Sequence, residues 1–471
     1  MLTTILTTII VAGGPTIITE DAKLVPADMS QYGGFGARVA IDGDTVVITS
    51  SGSDIFGLDA GAAWVFHRNS DGAFDQVQLL AGDDVSFLDE FGYAVSLHED
   101  LLVISARFHI VDGQVNAGGA YIFERDADGH FAQVQQLVSP APTLDEAYGW
   151  CVDTDGQRIV VGSRYGNGGA GAAYVYEQGN GGAWTLTATL AGSDIDAGDE
   201  FGRTASVLGD RIICGAPYFA AGCGGTNRCG SVFVFDHDGT DWVETHRLTP
   251  DDHANEDYFG FSVDLAEDRL LATSVYDDDM GSQSGSGYLF DLDGGDWTQT
   301  AKFVAPDGEP HDFMGMCGQL KGDRVVLGGW YGHDGRGAAW IWEHDGSEWA
   351  FLAEAWASDG QGYDIFGRSV AMDGDTLLVG ADWADIDGVA DAGAVYVYNL
   401  SADEGEGACC TNAICVASTA ALCDYFGGVY QGDGTACADA DCASCMGDVD
   451  HDGAVTVDDL LIVISQFGPC P

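Results

Sequence analysis

The feature that most constrains the fold of this chain is a sequence unit that occurs seven times. In each unit, a large apolar residue and a glycine are followed by an acidic turn, a β-branched run and a Gly-Ala step to an aromatic residue. The pairs that open the units are Phe35-Gly36, Phe91-Gly92, Tyr148-Gly149, Phe201-Gly202, Phe259-Gly260, Met314-Gly315 and Phe366-Gly367. The steps between successive glycines are 56, 57, 53, 58, 55 and 52 residues. This period is too long for a leucine-rich repeat and agrees with one four-stranded propeller blade per unit.

The seventh unit shows the strands expected within one blade. Residues 370–372 predict a short inner strand, and Asp373-Gly374-Asp375 predicts a tight turn, because glycine accepts positive φ angles. The apolar run 376–379 indicates a second strand that is buried on both faces. Residues 393–398 then predict the third strand of the blade.

The fourth strand is missing from the seventh unit, although the other six units carry it, as at residues 184–190. A candidate precedes the first unit at residues 22–26. We therefore expect residues near 23–25 to pair with 395–398 and close the ring, because closure removes an exposed sheet edge. The predicted fold is all-β: a seven-bladed β-propeller of four-stranded blades at residues 21–400.

These units resemble FG-GAP repeats, the propeller repeats of integrin α-subunit heads and of many bacterial surface proteins. Gly215-Ala216-Pro217 is an intact Gly-Ala-Pro motif, and Gly162-Ser163-Arg164 and Gly380-Ala381-Asp382 are degenerate forms. The resemblance implies a propeller with a role in adhesion or recognition. Many members of the family hold calcium in an Asp-x-Asp-x-Asp-Gly loop between the first two strands. Here that hairpin is cut to Asp-Gly-Asp, Glu-Asp or Gly-Asp, which leaves too few oxygens to surround Ca²⁺.

Three groups of side chains within the units have two interpretations each. The opening glycines are expected to fit a crowded axis. The acidic residues before them are expected to accept backbone N–H bonds in turns, with a ring of weak cation sites as the alternative: Asp89, Glu90, Asp199, Glu200, Glu256, Asp257 and Asp364. The late tryptophans are expected to pack between blades, while an exposed subset would stack on sugar rings: Trp330, Trp340, Trp342, Trp356 and Trp383.

The charge of the chain excludes two classes of partner. The sequence has 75 acidic and 17 basic residues, a net charge of −58, and only three lysines. Nucleic-acid binding requires clustered Lys and Arg, and an anionic membrane surface would repel this chain. The acidic surface is expected to keep a secreted protein soluble. Adaptation to salty water and capture of divalent cations are the alternatives.

The two ends of the chain favour export. Residues 1–20 begin with a 12-residue apolar stretch and predict a signal peptide without a basic start; an N-terminal strand is the alternative. Eight of the 13 cysteines lie in the last 63 residues and predict four disulfides, with Cys445 paired to Cys470 and a disulfide-rich module at 401–445. Cys223 and Cys229 predict a loop disulfide, whereas Cys151 and Cys317 are expected to be buried free thiols. No segment predicts a transmembrane span.

The tail at residues 446–471 carries the strongest chemical motif. Residues 448–459 match an EF-hand-type calcium loop by spacing, with Gly453 at the sharp turn and a short apolar helix expected after the loop. The predicted Ca²⁺ ligands are Asp448, Asp450, Asp452, Ala454 through its carbonyl, Thr456 and Asp459. The run resembles a dockerin repeat, which implies a cohesin-like partner. Dockerins usually carry two repeats, and this tail has one.

These observations favour a secreted or cell-surface, non-enzymatic protein for adhesion or recognition, with an unknown protein or glycan ligand. An extracellular polysaccharide-degrading enzyme or its accessory subunit is the main alternative, and a structural cell-envelope protein is another. The sequence has no Gly-x-Ser-x-Gly elbow, His-Glu-x-x-His motif or phosphate loop. Its many acidic pairs leave a glycosidase open.

Overall fold

The computed structural model describes residues 17–28, 31–179, 181–220, 228–400, 407–411, 414–418 and 429–433. The chain divides into two units, one of which is Glu20–Asn399. The other consists of Met1–Thr19 and Leu400–Pro471. No helix in the described part of the chain is long and apolar enough to cross a membrane.

The unit Glu20–Asn399 contains seven antiparallel sheets, and each has four strands from this unit. Counting from the N-terminus, the short strand β1 (Ile17–Thr19) precedes this unit. The strands of blades 1 to 3 are β3 (Arg38–Asp42), β4 (Thr45–Ser50), β5 (Ala62–Arg68), β6 (Phe74–Leu80); β7 (Phe91–His98), β8 (Leu101–Ala106), β9 (Gly119–Arg125), β10 (Phe131–Val138); and β11 (Tyr148–Thr154), β12 (Arg158–Ser163), β13 (Ala172–Gln178), β14 (Trp184–Leu190).

Blades 4 to 7 repeat this order from the inner strand outward. Their strands are β15 (Thr204–Leu208), β16 (Arg211–Ala216), β17 (Ser231–His237), β18 (Trp242–Leu248); β19 (Phe259–Ala266), β20 (Arg269–Ser274), β21 (Ser286–Asp293), β22 (Asp296–Phe303); β23 (Cys317–Lys321), β24 (Arg324–Gly329), β25 (Ala338–His344), β26 (Trp349–Trp356); and β27 (Phe366–Asp373), β28 (Thr376–Ala381), β29 (Ala394–Asn399), β2 (Ala22–Leu24). Two single helical turns, α1 (Gly166–Gly169) and α2 (Gly332–Gly335), lie between the second and third strands of blades 3 and 6.

The N-terminal strand closes the ring, as the sequence predicted. In blade 7, β2 pairs with β29 in antiparallel register, with Lys23 opposite Tyr396 and Leu24 opposite Val395. The Lys23 ammonium also lies 2.8 Å from the carboxylate of Asp359, in the loop between β26 and β27. The first and last described segments of the propeller therefore complete one blade together.

The burial of the strands explains their sequence patterns. All six residues of β4 are buried, and the second strands of the other blades are buried almost as completely. In contrast, the outer strand β18 alternates between half-buried and exposed residues. Middle strands lie between neighbouring blades and need apolar residues on both faces, whereas an outer strand has one face in water.

The same backbone hydrogen bond recurs between every pair of neighbouring blades. The N–H of the large apolar residue that opens each unit donates to a backbone carbonyl oxygen of the preceding blade, and the residue after this acceptor is the glycine directly before the third strand. The donor–acceptor pairs, at 2.8–3.3 Å, are Phe35–Ala392, Phe91–Ala60, Tyr148–Ala117, Phe201–Ala170, Phe259–Cys229, Met314–Ser284 and Phe366–Arg336. The first of these bonds closes the ring. Each donor residue is fully buried and, except at Met314, packs against an aromatic ring of its own blade, edge-on in five blades, as Phe91 does on Tyr121 at 5.5 Å, and tilted at Tyr148.

The opening glycines serve this junction, and the expectation of a crowded axis was wrong. All seven have φ between +74° and +96°, a region that L-residues with a Cβ rarely adopt. A Cβ on Gly367 would collide with the Ala338 carbonyl oxygen, and one on Gly202 would collide with that of Ala172. The space beside these opening glycines is therefore limited by the backbone of the preceding blade rather than by crowding at the axis of the ring.

At six junctions, the carbonyl oxygen of the opening glycine also accepts a hydrogen bond from a side chain of the preceding blade. In four blades the donor is a small side chain on the first strand, and its cross-strand partner is a glycine. The donors and acceptors are Cys151–Gly202 at 3.4 Å, Thr204–Gly260 at 3.0 Å, Cys317–Gly367 at 3.3 Å and Ser369–Gly36 at 2.7 Å. At two junctions the donor comes from the second strand instead: Thr49–Gly92 at 2.6 Å and Thr273–Gly315 at 2.7 Å.

The free thiols are explained by these bonds. Cys151 and Cys317 are free, as predicted, and each thiol donates to the next blade. Burial raises the pKa of both thiols to about 12, which keeps them protonated as donors. Cys229 is disulfide-bonded. Residue 223 lies outside the described residues, so the bond between Cys223 and Cys229 stays a prediction.

The tail unit contains a three-stranded sheet within the segment predicted as the disulfide-rich module. Its strands are β30 (Gly407–Thr411), β31 (Ile414–Ser418) and β32 (Val429–Asp433), in the order β31-β30-β32. The disulfides of the tail, the calcium loop and the following helix stay predictions, because residues 434–471 lie outside the described residues.

The junction predicts a strong effect of one methyl group. Gly328 has no positive φ, but a Cβ there would meet the Gly367 carbonyl oxygen and the Cys317 sulfur. We expect Gly328→Ala to lower the free energy of unfolding by about 2 kcal/mol or more, because blades 6 and 7 would have to separate. Thermal and denaturant unfolding of the full chain measure this change.

Gly181→Ala is the matched control, because Gly181 also has no positive φ and nothing lies within 4 Å of the position that a Cβ would take there. This variant should change the free energy of unfolding by no more than about 0.5 kcal/mol. Equal stability of the two variants would contradict the role of the junction.

Candidate functional site

The two ends of the ring differ in their exposed side chains. We call the end with the opening pairs the FG face; it also carries the loops between the second and third strands. The opposite end, with the turns between the first and second strands, is the hairpin face. Exposed large apolar residues on the FG face are Tyr32, Phe56, Leu58, Phe87, Leu88, Ile110, Val115, Leu144, Tyr165, Met280, Tyr331, Tyr363 and Trp383. On the hairpin face, only Leu208 is of this kind among the described residues. A concentration of exposed apolar surface of this kind marks a binding surface.

The hairpin face carries carboxylates, and several of them hold neighbouring blades together. Arg158 of blade 3 pairs with Asp210 of blade 4 at 2.8 Å. Arg324 of blade 6 pairs with Asp375 of blade 7 at 2.6 Å. The acceptor carboxylates are largely exposed, so each pair contributes little to stability. These charges make the hairpin face hydrophilic.

A cavity of about 950 Å³ on the hairpin side is lined by the first strands of all seven blades. We call it the cup. The fourth residue after the opening glycine faces it and is polar in five blades: Ser96, Asp153, Ser206, Asp264 and Gln319. Several of these side chains accept a backbone N–H from the next blade, as Asp264 does from Leu320 at 2.7 Å. They satisfy strand N–H groups that the ring leaves without a strand neighbour.

Two carboxyl groups in the cup have raised pKa values. Burial raises the pKa of Asp264 to about 7, and the charge of Asp153 adds to this effect. Burial also raises the pKa of Asp153. The Asp153 carboxylate already accepts hydrogen bonds from Ser96 and Ser206, each at 2.9 Å, and from the Val207 N–H at 2.8 Å. These hydrogen bonds connect Asp153 of blade 3 to blades 2 and 4.

A group of three carboxylates in blade 5 has the geometry of a cation site. Ligand oxygens of Asp252, Asp277 and Asp279 lie within 4.8 Å of one another. The Lys302 ammonium contacts all three, at 2.6, 3.1 and 2.5 Å. Burial alone would lower the pKa of Lys302, but hydrogen bonds to these carboxylates raise it above the ordinary value. The ammonium therefore neutralises this cluster.

Arginine and aromatic side chains surround the axis at the FG face. The residues that directly follow the opening glycines contact one another from blade to blade. The rings of Tyr93 and Trp150 are 5.0 Å apart. The Arg203 guanidinium carbon lies 5.6 Å from the centre of the Trp150 ring and 4.4 Å from that of Phe261. We call this arrangement the FG mouth. Such cation–π contacts are stronger where water is partly excluded.

Five arginines are concentrated at the FG mouth of this acidic protein, and four of them form ion pairs. The pairs are Arg107–Glu90 at 2.7 Å, Arg164–Glu200 at 2.5 Å, Arg203–Glu200 at 3.1 Å and Arg368–Asp382 at 3.0 Å. The fifth, Arg38, lies over the Tyr93 ring at 5.5 Å. Four guanidinium groups thus pair with three carboxylates and the fifth pairs with none among the described residues, so the paired groups of the mouth carry an excess of positive charge.

The predicted site residues have different outcomes. The Ca²⁺ ligands at 448–459 lie outside the described residues. Four of the seven turn carboxylates behave as predicted: Asp89, Asp199, Asp257 and Asp364 each accept the backbone N–H three residues earlier, at 2.5–2.7 Å. Glu90 and Glu200 pair with arginines instead. Among the late tryptophans, Trp340 and Trp342 are buried in the core, whereas Trp383 is 49 % exposed on the FG face. The sequence reasoning missed the five mouth arginines. Arg203 and Arg368 directly follow an opening glycine, and Arg107 and Arg164 directly follow a second strand, so the repeat register is the signal that could have found them.

Comparison with known families agrees with this architecture. The FG-GAP repeat model matches seven segments: residues 18–66, 74–123, 131–176, 184–235, 242–290, 297–342 and 349–398. The chain belongs to the FG-GAP repeat family. No curated protein is similar enough to the chain to count as a match.

The boundaries of the FG-GAP repeats are offset from the blades by one strand. The repeat at 18–66 contains β2, the outer strand of blade 7, followed by the three inner strands of blade 1. The repeat at 349–398 begins with β26, the outer strand of blade 6, and ends with β29. Each FG-GAP repeat thus bridges two blades, and this offset makes the first repeat complete the last blade.

The cup predicts a pH dependence of stability. The pKa of Asp264 is about 7 in the fold against an ordinary value of 3.8, so the folded chain keeps this proton to higher pH. The resulting stabilisation is full below the ordinary pKa and is lost as the pH rises through about 7. We expect Asp264→Asn to raise the melting temperature at about pH 8 and to flatten its decline between about pH 5 and 8.

Asp268→Asn is the matched control, since Asp268 is an exposed residue of the same hairpin. Its melting curve should follow the wild-type protein at every pH. A steep decline that persists unchanged in Asp264→Asn would contradict the buried-carboxyl explanation.

Proposed function

We propose that this FG-GAP protein is an extracellular recognition protein that binds a glycan on its FG face. The observation that carries the proposal is that, among the described residues, the exposed aromatic side chains all lie on that face. Tyr363, in the loop between β26 and β27, is 66 % exposed, and Trp383, in the loop between β28 and β29, is 49 % exposed. Flat aromatic rings at a water-exposed surface suit contact with the apolar faces of sugar rings.

Binding of the full-length protein to a glycan array tests this function. We expect selective binding that falls about tenfold or more in Trp383→Ala or Tyr363→Ala, as for central aromatic contacts. Leu208→Ala, on the hairpin face, should bind like the wild-type protein. Absence of binding to any glycan on the array would overturn the proposal. Release of cleaved products would favour the polysaccharide-degrading enzyme instead.

The sequence features of both chain ends support an extracellular location. The apolar residues 1–12 have the length of a signal-peptide core, and the cysteines are concentrated near the C-terminus. The same proposal includes a cell-surface role, in which the dockerin-like repeat at 446–471 would bind a cohesin-like partner. Secretion of the full chain with removal of residues 1–20 would support this placement, and retention in the cytoplasm would contradict it.

The tail is proposed to bind one Ca²⁺ through Asp448, Asp450, Asp452, Ala454, Thr456 and Asp459. The support is the alternation of carboxylates around Gly453, which matches the EF-hand loop. Aspartate at position 12 reaches less far than the usual glutamate, so the site should be weak.

Calorimetry of the full-length protein with Ca²⁺ tests the tail site. We expect one site with a Kd of about 10⁻⁵–10⁻³ M, and we expect Asp448→Ala and Asp452→Ala to abolish it. Asp439→Ala, outside the loop, is the control and should leave the heat unchanged. Identical heats in all variants would leave only an acidic turn.

A further inference from the structure

Arg38 differs from its neighbours at the FG mouth because it has no carboxylate partner among the described residues. Its Nη1 atom donates to the backbone oxygen of Ala37 at 2.7 Å, and its guanidinium lies over the Tyr93 ring. The protein has 75 acidic and 17 basic residues, so a cation in contact with a carboxylate is the ordinary case. A half-buried guanidinium without one has unused N–H donors.

The position of Arg38 follows from the blade junction. In four blades the second residue after the opening glycine is a small donor to the next blade. In blade 1 that donor is Thr49, the cross-strand partner of Arg38, which bonds the Gly92 carbonyl at 2.6 Å. Position 38 is therefore released from the junction. It carries a long cationic side chain where blades 3, 4, 6 and 7 carry Cys, Thr, Cys and Ser.

The surroundings of Arg38 favour an anion rather than a cation. Burial and the neighbouring charge of Arg368 both act to lower the pKa of Arg38. Arg107 lies on the same Tyr93 ring, at 3.8 Å from its centre. The charge of Asp382 acts to raise the pKa of Arg38, but the Asp382 carboxylate is engaged by Arg368 at 3.0 Å. An anionic group that reached the mouth would relieve this repulsion.

We infer that the FG mouth binds the carboxylate of an acidic saccharide through Arg38, with Tyr93 and Trp150 beside the sugar ring. This inference rests on the proposed glycan-binding function and specifies its ligand. The planar guanidinium matches a carboxylate through two parallel N–H bonds, and partial burial strengthens such a contact. The aromatic rings at the mouth supply the apolar contact surface that a sugar needs.

The net charge of −58 adds a distinguishing property. At low salt the whole protein repels an acidic saccharide, and salt screens this long-range repulsion more than it screens the contact with Arg38. The affinity should therefore be at least as high at about 150 mM NaCl as at about 10 mM. A ligand held by a general basic patch would show the opposite dependence.

Calorimetry of the full-length protein with three matched probes tests the inference. The probes are an oligogalacturonate, its methyl ester and a neutral galactose oligomer of the same length. We expect the free acid to bind about tenfold or more tightly than the other two. In Arg38→Met this preference should disappear, and in Arg38→Lys it should be partly kept. Arg247→Met, on an outer strand with its nearest carboxylate at 3.9 Å, is the charge-matched control.

The outcomes separate this inference from the proposed function. Equal binding of the acid and its ester, or an Arg38→Met variant that keeps the preference, would overturn the carboxylate site. In that case FG-face binding of neutral glycans would leave the proposed function standing. Failure of the wild-type protein to bind any glycan would overturn both. If Arg38→Met does not fold, the comparison of acid and ester on the wild-type protein still decides the inference.

Discussion

The blade junction is the interaction on which the rest of this structure depends. The same type of N–H···O=C bond joins each opening residue to the blade before it. Glycines on both sides of the junction, such as Gly367 and Gly328, allow the two backbones to approach closely. The N–H of Phe35 makes the same bond to Ala392 as the other opening residues make to their neighbours, so the ring closes by an ordinary junction. Close backbone approach leaves no space for a Cβ, which explains the glycines at second-strand positions such as Gly328, where the local backbone conformation alone would accept other residues. The opening glycines are required by their positive φ angles as well.

The junction also distributes the side-chain chemistry between the two ends of the ring. Where the first strand supplies the donor to the next blade, as at Cys151 and Thr204, the opposite residue is glycine. Where the second strand supplies it, as at Thr49, the first-strand position becomes available for another purpose. Arg38 occupies such a position. A structural exchange within a β-ladder thus permits a guanidinium at the centre of the proposed binding face.

The charges of this acidic protein are arranged differently at its two faces. Hairpin-face carboxylates pair with arginines of adjacent blades, and the blade 5 carboxylates pair with Lys302, so these charges are neutralised by partners within the protein. At the FG mouth, four arginines pair with three carboxylates beside half-buried aromatic rings, and Arg38 pairs with none among the described residues. In the proposed carboxylate site, this excess of positive charge would favour short anionic groups, because long-range repulsion by a strongly negative protein disfavours large polyanions.

The sequence by itself determined the number of blades, the closing strand and the role of the turn carboxylates, because these depend on local signals: Phe-Gly spacing, apolar runs and side-chain bonds spanning three residues. Only the tertiary structure decided that Cys317 bonds Gly367, that Lys302 neutralises three aspartates and that Arg38 has no acidic partner in the part of the chain that the structure describes. Such contacts join residues that lie far apart in sequence or on different blades, and no periodicity encodes which side chains meet there. The opening glycines show the difference most clearly, since their spacing revealed the fold while their physical reason lay in the neighbouring blade.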